Sequence, residues 1–174
     1  MSIWPFKPSQ AKIDAERLLA AVTAISRNPA FFGPGRTPDT LDGRFELMTL
    51  FGSLAMIRLQ RDPALQPLAQ QFTDALFRAF DSGLRELGVS DTAVPKRMHQ
   101  LAGAFYGRLR AYSDAAASAD RAGLASAIER NITGPDCGAF ATALAAHALV
   151  LVERQASLPI EALFEADNWP ALGS

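Results

Sequence analysis

Apolar residues recur at intervals of three or four along most of the chain, which is the spacing of one face of an α-helix. The clearest case is a run of five apolar residues in unbroken steps of four: Leu68, Phe72, Leu76, Phe80 and Leu84. A second run, with steps of three and four, lies between residues 94 and 112. We find no alternation of apolar and polar residues of the kind typical of half-buried strands. The pattern predicts an all-α fold.

Turn residues divide this pattern into six helices, predicted at residues 9–27, 41–61, 68–84, 94–112, 119–131 and 137–154. Short polar side chains precede three of them and are expected to cap free N–H groups: Ser9, then Asp39 or Thr40, then Asp91 or Thr92. Gly88 stands where the third helix is expected to end in the left-handed conformation. We therefore expect a single compact bundle of six to seven helices with rigid Pro/Gly-rich loops. It would comprise an N-terminal arm (1–8), a helical domain (9–156) and a C-terminal tail (157–174).

Composition agrees with a helical protein. The 174 residues include 32 Ala, and Arg outnumbers Lys by 14 to 3, so strong helix formers dominate. The longest apolar stretch, residues 138–152, is shorter than the roughly 20 residues of a spanning helix. The first residues do not form a signal peptide of the usual kind, and Trp4 and Phe6 are expected to pack on the core. These features predict a soluble, cytoplasmic protein.

The inventory of reactive side chains is small. Two His and one Cys cannot assemble a zinc site of the usual kind, and phosphate-binding loops and serine-hydrolase motifs are absent from the sequence. We expect His147, on an apolar helix face, to be a core histidine bonded to a backbone carbonyl, and Cys137 to be structural. The formal charge of −1 lacks the basic excess of most nucleic-acid binders. We predict no catalysis, no cofactor, no metal and no DNA binding.

Charge is nevertheless concentrated locally. Residues 78–112 carry six cations and three anions, a local +3, interleaved with the aromatic residues Phe105, Tyr106 and Tyr112. A second dense segment, residues 38–46, places Arg44 in the first turn of a helix, where the helix dipole disfavours a cation. A cation in that position predicts a carboxylate partner, either elsewhere in the fold or on another protein.

Five short motifs within these segments occur in a consistent order. They are Asp39-Thr40, Gly43-Arg44-Phe45-Glu46-Leu47, Leu84-Arg85-Glu86 with Gly88-Val89 and Asp91, Val94-Pro95-Lys96 with Met98, and Phe105-Tyr106-Gly107-Arg108 with Tyr112. On these residues the sequence resembles the ubiquinol–cytochrome c chaperone family, known from mitochondria and alphaproteobacteria, over about residues 15–155. It departs from the family pattern at Phe51, where His is common, and at Ser90, where Gly is usual.

The resemblance implies a non-enzymatic assembly factor that binds newly made cytochrome b, or another respiratory membrane protein, and promotes assembly of ubiquinol–cytochrome c reductase. A small partner protein is a further implied partner. The Ala- and Arg-rich composition fits a bacterial member working in the cytoplasm, or peripherally at the inner face of the cytoplasmic membrane with transient membrane contact.

The expected protein-binding residues are the charged and aromatic members of the motifs. They are Asp39, Arg44, Arg85, Glu86, Asp91, Lys96, Arg97, Tyr106, Arg108 and Tyr112. Arginine forks and tyrosines are frequent anchors at protein interfaces. We expect Arg85 and Arg108 to act in partner capture, so that their removal leaves folding nearly intact.

The residues alone leave two other functions open. Phe-rich helices and His147 permit a binder of a small hydrophobic ligand such as haem, quinone or lipid. Binding of RNA or the ribosome through Lys96, Arg97, Arg108 and Arg110 is the second, although six cations are few for a free nucleic acid.

Overall fold

The structure, a computed structural model, describes residues 9–173, and the N-terminal arm predicted at residues 1–8 lies outside that range. Six α-helices follow one another along the chain: α1 Gln10–Ser26, α2 Leu41–Leu59, α3 Gln66–Glu86, α4 Val94–Ala117, α5 Arg121–Ile128 and α6 Gly138–Ser157. Within residues 9–173 the only strand-like feature is an isolated bridge between Phe32 and Thr37. The predicted all-α class is confirmed.

Most helix ends follow the sequence signals. Ser9 caps α1 by accepting a hydrogen bond from the Lys12 N–H, and of the two candidates before α2 it is Thr40 that caps. Gly88 follows α3 with a φ of 78°, as predicted for a left-handed terminator.

The predicted cap of α4 is wrong. Neither Asp91 nor Thr92 caps this helix, which begins after Ala93 without a side-chain cap and with proline in its first turn. Instead, the Asp91 carboxylate accepts a hydrogen bond from Arg85, so a charged partner competes with the free N–H groups of the helix.

The fifth helix is shorter than the pattern suggests. Ala119 has a φ of 52°, and Asp120 then caps α5 by accepting from the Gly123 N–H. After Ile128 the chain forms a turn of π-helix, Glu129–Thr133, and then leads to α6. The helix α6 ends at Ser157, three residues beyond its predicted end.

The core is built around α2. Its residues from Leu47 to Leu59 are almost all buried, and it packs against α1, α3, α4 and α6. Its apolar side chains point in every direction, as expected for a helix enclosed by others. Each large side chain buried there stabilises the fold by about 1.5–3 kcal/mol before the entropy of ordering is counted.

The C-terminal tail completes this core. Two short 3-10 turns, Ile160–Phe164 and Ala166–Asn168, pack on α1. Trp169 is buried, its indole N–H donates to the Leu163 carbonyl at 2.9 Å, and its ring meets Phe51 edge-on. The sequence pattern alone indicated only an irregular end here.

His147 is partly buried and makes the predicted bond to a backbone carbonyl. Its Nε2–H donates to the carbonyl oxygen of Pro170 at 3.0 Å, which ties α6 to the tail. Burial lowers the pKa of His147, and the bond to Pro170 partly opposes that effect.

In the described part of the chain, no single helix combines the length and apolarity needed to cross a membrane. The segment Arg121–Thr133 and α6 reach that composition only as a pair bent by 118°.

Candidate protein-binding site

The two charge-dense motif segments meet at one end of the bundle. There the C-terminal ends of α1 and α3 and the N-terminal ends of α2 and α4 enclose a groove of about 470 Å³. Its floor is apolar and consists of Phe45, Met48, Phe80, Leu84 and Leu101. The rings of Phe45 and Phe80 are in tilted contact with centroids 4.8 Å apart, so the floor is a packed surface.

A glycine allows the α2 wall of this groove to form. A Cβ at Gly43 would stand 2.0 Å from the carbonyl oxygen of Pro38, so only glycine lets the preceding loop pack on the first turn of α2. This packing places Leu41, Asp42 and Arg44 at the groove's edge.

The rim of the groove is charged. Arg27, Arg44 and Arg97 line it together with Asp42 and Glu86. Arg44 finds the carboxylate that its position predicts within its own fold, because its Nε donates to Asp39 at 2.7 Å. This hydrogen bond lowers the pKa of the exposed Asp39 carboxyl.

Arg85 organises the turn between α3 and α4. Its Nε donates to Asp81 at 2.7 Å, and a second nitrogen donates to Asp91. All three side chains are solvent-accessible, so the cluster shapes an exposed turn beside the groove. Glu86 and Leu87, the next two residues, line the groove itself.

Arg108 is partly buried between α4 and α2. Its guanidinium donates two hydrogen bonds to Glu46, at 2.5 and 2.6 Å, and one to the Ala104 carbonyl at 3.2 Å. The side chains of Arg108 and Glu46 are only 21% and 10% exposed. Burial raises the pKa of Glu46 despite the opposing effect of Arg108. The expectation that Arg108 is a surface anchor is corrected: it fastens α4 to α2.

Tyr112 is also internal. Its side chain is fully buried, and burial, followed by the nearby Glu46 carboxylate, raises its pKa. A residue enclosed in this way cannot contact a partner, so the expectation of a binding role for Tyr112 is corrected as well.

Two further predicted residues are exposed but lie outside the groove lining. Lys96 is beside Arg97 at the start of α4. Tyr106 contacts Phe77 at a tilted angle, with centroids 5.9 Å apart, and lines a separate cavity between the end of α2 and the start of α3. The structure therefore gathers Arg44, Glu86 and Arg97 in the groove, with Asp39, Arg85, Asp91 and Lys96 close by in sequence.

The sequence reasoning missed several groove residues, chiefly Arg27, Leu41 and Leu87. Leu41 and Leu87 are among the few large apolar side chains that are exposed in residues 9–173. An apolar residue directly before the terminator Gly88 could have drawn attention to Leu87. The sequence held no comparable sign for Arg27, since that arginine reaches the site through the packing of α1.

Comparison with known proteins identifies the family. The model of the family described as "Ubiquinol-cytochrome C chaperone" matches residues 35–169. The chain belongs to the ubiquinol–cytochrome c chaperone family. The crystal structure of the Cbp3 homolog from Brucella abortus is similar to it, with a TM-score of 0.78, 36% identity, and coverage of 90% of this chain and 88% of that one. No curated protein sequence matches the chain.

Family membership gives the protein a chaperone role in the assembly of respiratory complex III. Within this chaperone, the matched range begins at residue 35 and so includes the α2, α3 and α4 walls of the groove. The α1 wall, with Thr23, Ser26 and Arg27, precedes that range. In residues 9–173, no group of three or more His, Cys, Asp or Glu side chains is placed to hold a metal ion.

Proposed function

We propose that this chaperone binds newly made cytochrome b and holds it while ubiquinol–cytochrome c reductase is assembled. The family assignment supports the process, and the groove supports the mode of action. An apolar floor with a charged rim provides hydrophobic contact and directional hydrogen bonds, the usual combination at protein interfaces. We place the protein in the cytoplasm, peripherally at the inner face of the membrane, where its client is inserted.

The single observation that carries this proposal is the meeting of the separate motif segments around the groove. Arg44 comes from α2, Glu86 from α3 and Arg97 from α4. Motif residues that served only to stabilise the fold would be expected to be buried like Tyr112, or bonded within the fold like Arg108. The binding surface we propose therefore keeps the exposed motif residues: Asp39, Arg44, Arg85, Glu86, Asp91, Lys96 and Arg97. Tyr106 belongs to a second contact area for a small partner protein or the ribosome.

Co-purification tests the client. A tagged copy is expressed in a strain lacking the chromosomal gene, and cytochrome b is detected in the eluate by immunoblot and by its reduced haem spectrum. We expect cytochrome b to co-purify with the native chaperone and with Arg110→Gln, which changes an exposed arginine on α4 outside the groove. Normal levels of complex III in the deletion strain would contradict the proposal.

A small hydrophobic ligand is the second candidate, favoured by the groove volume, which lies within the usual range of roughly 300–1,000 Å³ for ligand sites. His147 offers little to haem, because its Nε2 is already bonded to the Pro170 carbonyl. A haem titration followed by absorbance distinguishes this candidate: a saturable shift of the Soret band lost in Met48→Ala would support it.

A further inference from the structure

Two arginines at the groove lack an ionic partner. Arg27 and Arg97 line it, and neither lies within 4 Å of a carboxylate in the described part of the chain. Some exposed arginines elsewhere are paired, as Arg17 is with Glu165 and Arg78 with Glu16, while others, such as Arg61 and Arg121, have no ion pair within residues 9–173 either. The groove thus leaves two cations available to a bound group.

Apolar surface is also left uncovered at the same place. Leu87 is 60% exposed, and Leu41, at the start of α2, is exposed and lines the same groove. The same groove is lined by the Phe45–Phe80 pair of its floor. An exposed apolar patch continuous with a concave floor is typical of a site for another protein's side chains.

We propose that the groove binds an amphipathic helical segment that inserts large apolar side chains onto the Phe45–Phe80 floor and presents an acidic residue to Arg27 and Arg97. This inference rests on the proposed function, because it names the chemistry of the client segment that the chaperone recognises.

The charges of the groove favour an acidic segment. Three arginines line it against two carboxylates, Asp42 and Glu86. Asp42 lies in the first turn of α2, where the positive end of the helix dipole already offsets its charge. Arg44 is engaged by Asp39. Glu86 is the remaining carboxylate of the lining, against the two arginines that have no ion pair in the described residues, so the balance of available charge is positive.

The shape of the groove favours a protein segment over a lipid surface. Four helix ends enclose the floor, and an apolar face of an inserted helix can fill such a concavity with side chains at positions i, i+3, i+4 and i+7. A flat bilayer would reach the rim leucine Leu87 but would leave Phe45 and Phe80 uncovered.

Designed peptides test the inference on the purified full chain. Three fluorescein-labelled peptides of about four helical turns carry the same leucine stripe and differ only in flanking residues, which are Glu, Gln or Lys. Fluorescence anisotropy at low and physiological ionic strength gives their affinities. We expect the Glu peptide to bind about tenfold more tightly than the Lys peptide, with Gln between them, as one charge-assisted contact would produce.

Matched variants assign this binding to the groove. We expect Leu87→Ser to weaken all three peptides several-fold, while Val150→Ser, which changes an equally exposed residue on α6, leaves them unchanged. Arg27→Gln and Arg97→Gln should each reduce the preference for Glu over Lys, and Arg110→Gln should not. Circular dichroism of each variant verifies that it is folded.

Three results would overturn the inference. Equal affinity for the Glu and Lys peptides would contradict the preference for an acidic segment. Unchanged binding in Leu87→Ser would show that the peptides do not bind in the groove. Binding to vesicles containing phosphatidylglycerol, with no binding of peptides, would assign the patch to lipid. The proposed function fails separately: peptides that bind as expected while cytochrome b does not co-purify would leave the groove chemistry standing and refute the client.

Discussion

The pair formed by Arg108 and Glu46 gives the sharpest prediction. Replacing Arg108 with Ala removes two short hydrogen bonds to Glu46 and leaves its carboxylate, which is 10% exposed, without a counter-charge. Removing one partner of a buried pair costs roughly 3–5 kcal/mol. Because the Arg108 side chain is 21% exposed, water reaches part of the site. We therefore expect a loss near the lower limit, about 3 kcal/mol.

This loss should depend on pH with a defined sign. Burial holds the folded-state pKa of Glu46 above its ordinary value, and the loss of Arg108 should raise it further. A group with a raised folded-state pKa contributes stability that is present below the unfolded pKa and is lost as pH rises through the folded pKa. The variant should therefore be more destabilised, relative to the native protein, at pH 8 than at pH 5.

Urea unfolding followed by circular dichroism at both pH values measures the effect. A loss of about 3 kcal/mol corresponds to a fall in Tm of about 6–12 °C for a domain of this size.

Arg110→Ala is the control, because its side chain is 87% exposed and such positions usually change stability by less than about 0.5 kcal/mol. The double replacement Arg108→Met with Glu46→Leu should recover much of the loss. An Arg108→Ala variant as stable as the control would refute the reasoning, and an equal loss at both pH values would assign it to packing instead of charge.

Three more predictions concern the rest of the fold. His147 has a lowered folded-state pKa, so the stability it contributes is present above its unfolded pKa, about 6.5, and falls by up to about 1.4 kcal/mol per pH unit below it. His147→Phe should therefore lose less stability on acidification than the native protein does. Urea midpoints at pH 7.5 and 5.5 measure this difference. Gly88→Ala should destabilise the fold by about 1 kcal/mol, because Gly88 has a φ of 78°. Gly103→Ala should stabilise it by a similar amount, because Gly103 lies in the exposed middle of α4 with open space around it. Thermal melts should therefore show changes in Tm of opposite sign for the two variants. Trp169→Ala should cost about 3–5 kcal/mol and abolish much of the near-UV dichroism, and a native-like Tm would show that the tail is dispensable.

Much of the fold could be predicted from the sequence because its signals are local. The stripe of α3, the cap at Ser9 and the terminator Gly88 each act within a few residues, and the structure confirms them. The prediction of a cap for α4 was wrong for a physical reason. Asp91 has two local options, a free N–H or the Arg85 guanidinium, and only the path of the turn decides between them.

The site was harder to predict because it depends on distant packing. Arg97 and Arg108 are about three helical turns apart, so they share one face of α4. At Arg108 this face is covered by α2 and Glu46, whereas at Arg97 it opens into the groove. Nothing within α4 itself distinguishes the two arginines. The motifs therefore marked the correct helices, and the tertiary contacts separated the binding residues from the structural ones.

The groove is bounded by helix ends, and this has a consequence for its dynamics. Terminal turns contain backbone groups with no intrahelical partner, and they open locally at a small fraction of the global unfolding free energy. The middle of α2, in contrast, is enclosed on all sides. Amide hydrogens lining the groove are thus placed among the fast-exchanging ones, and those beneath it among the slowest. A chaperone arranged in this way can adjust its mouth to side chains of different size while its core keeps a single packing.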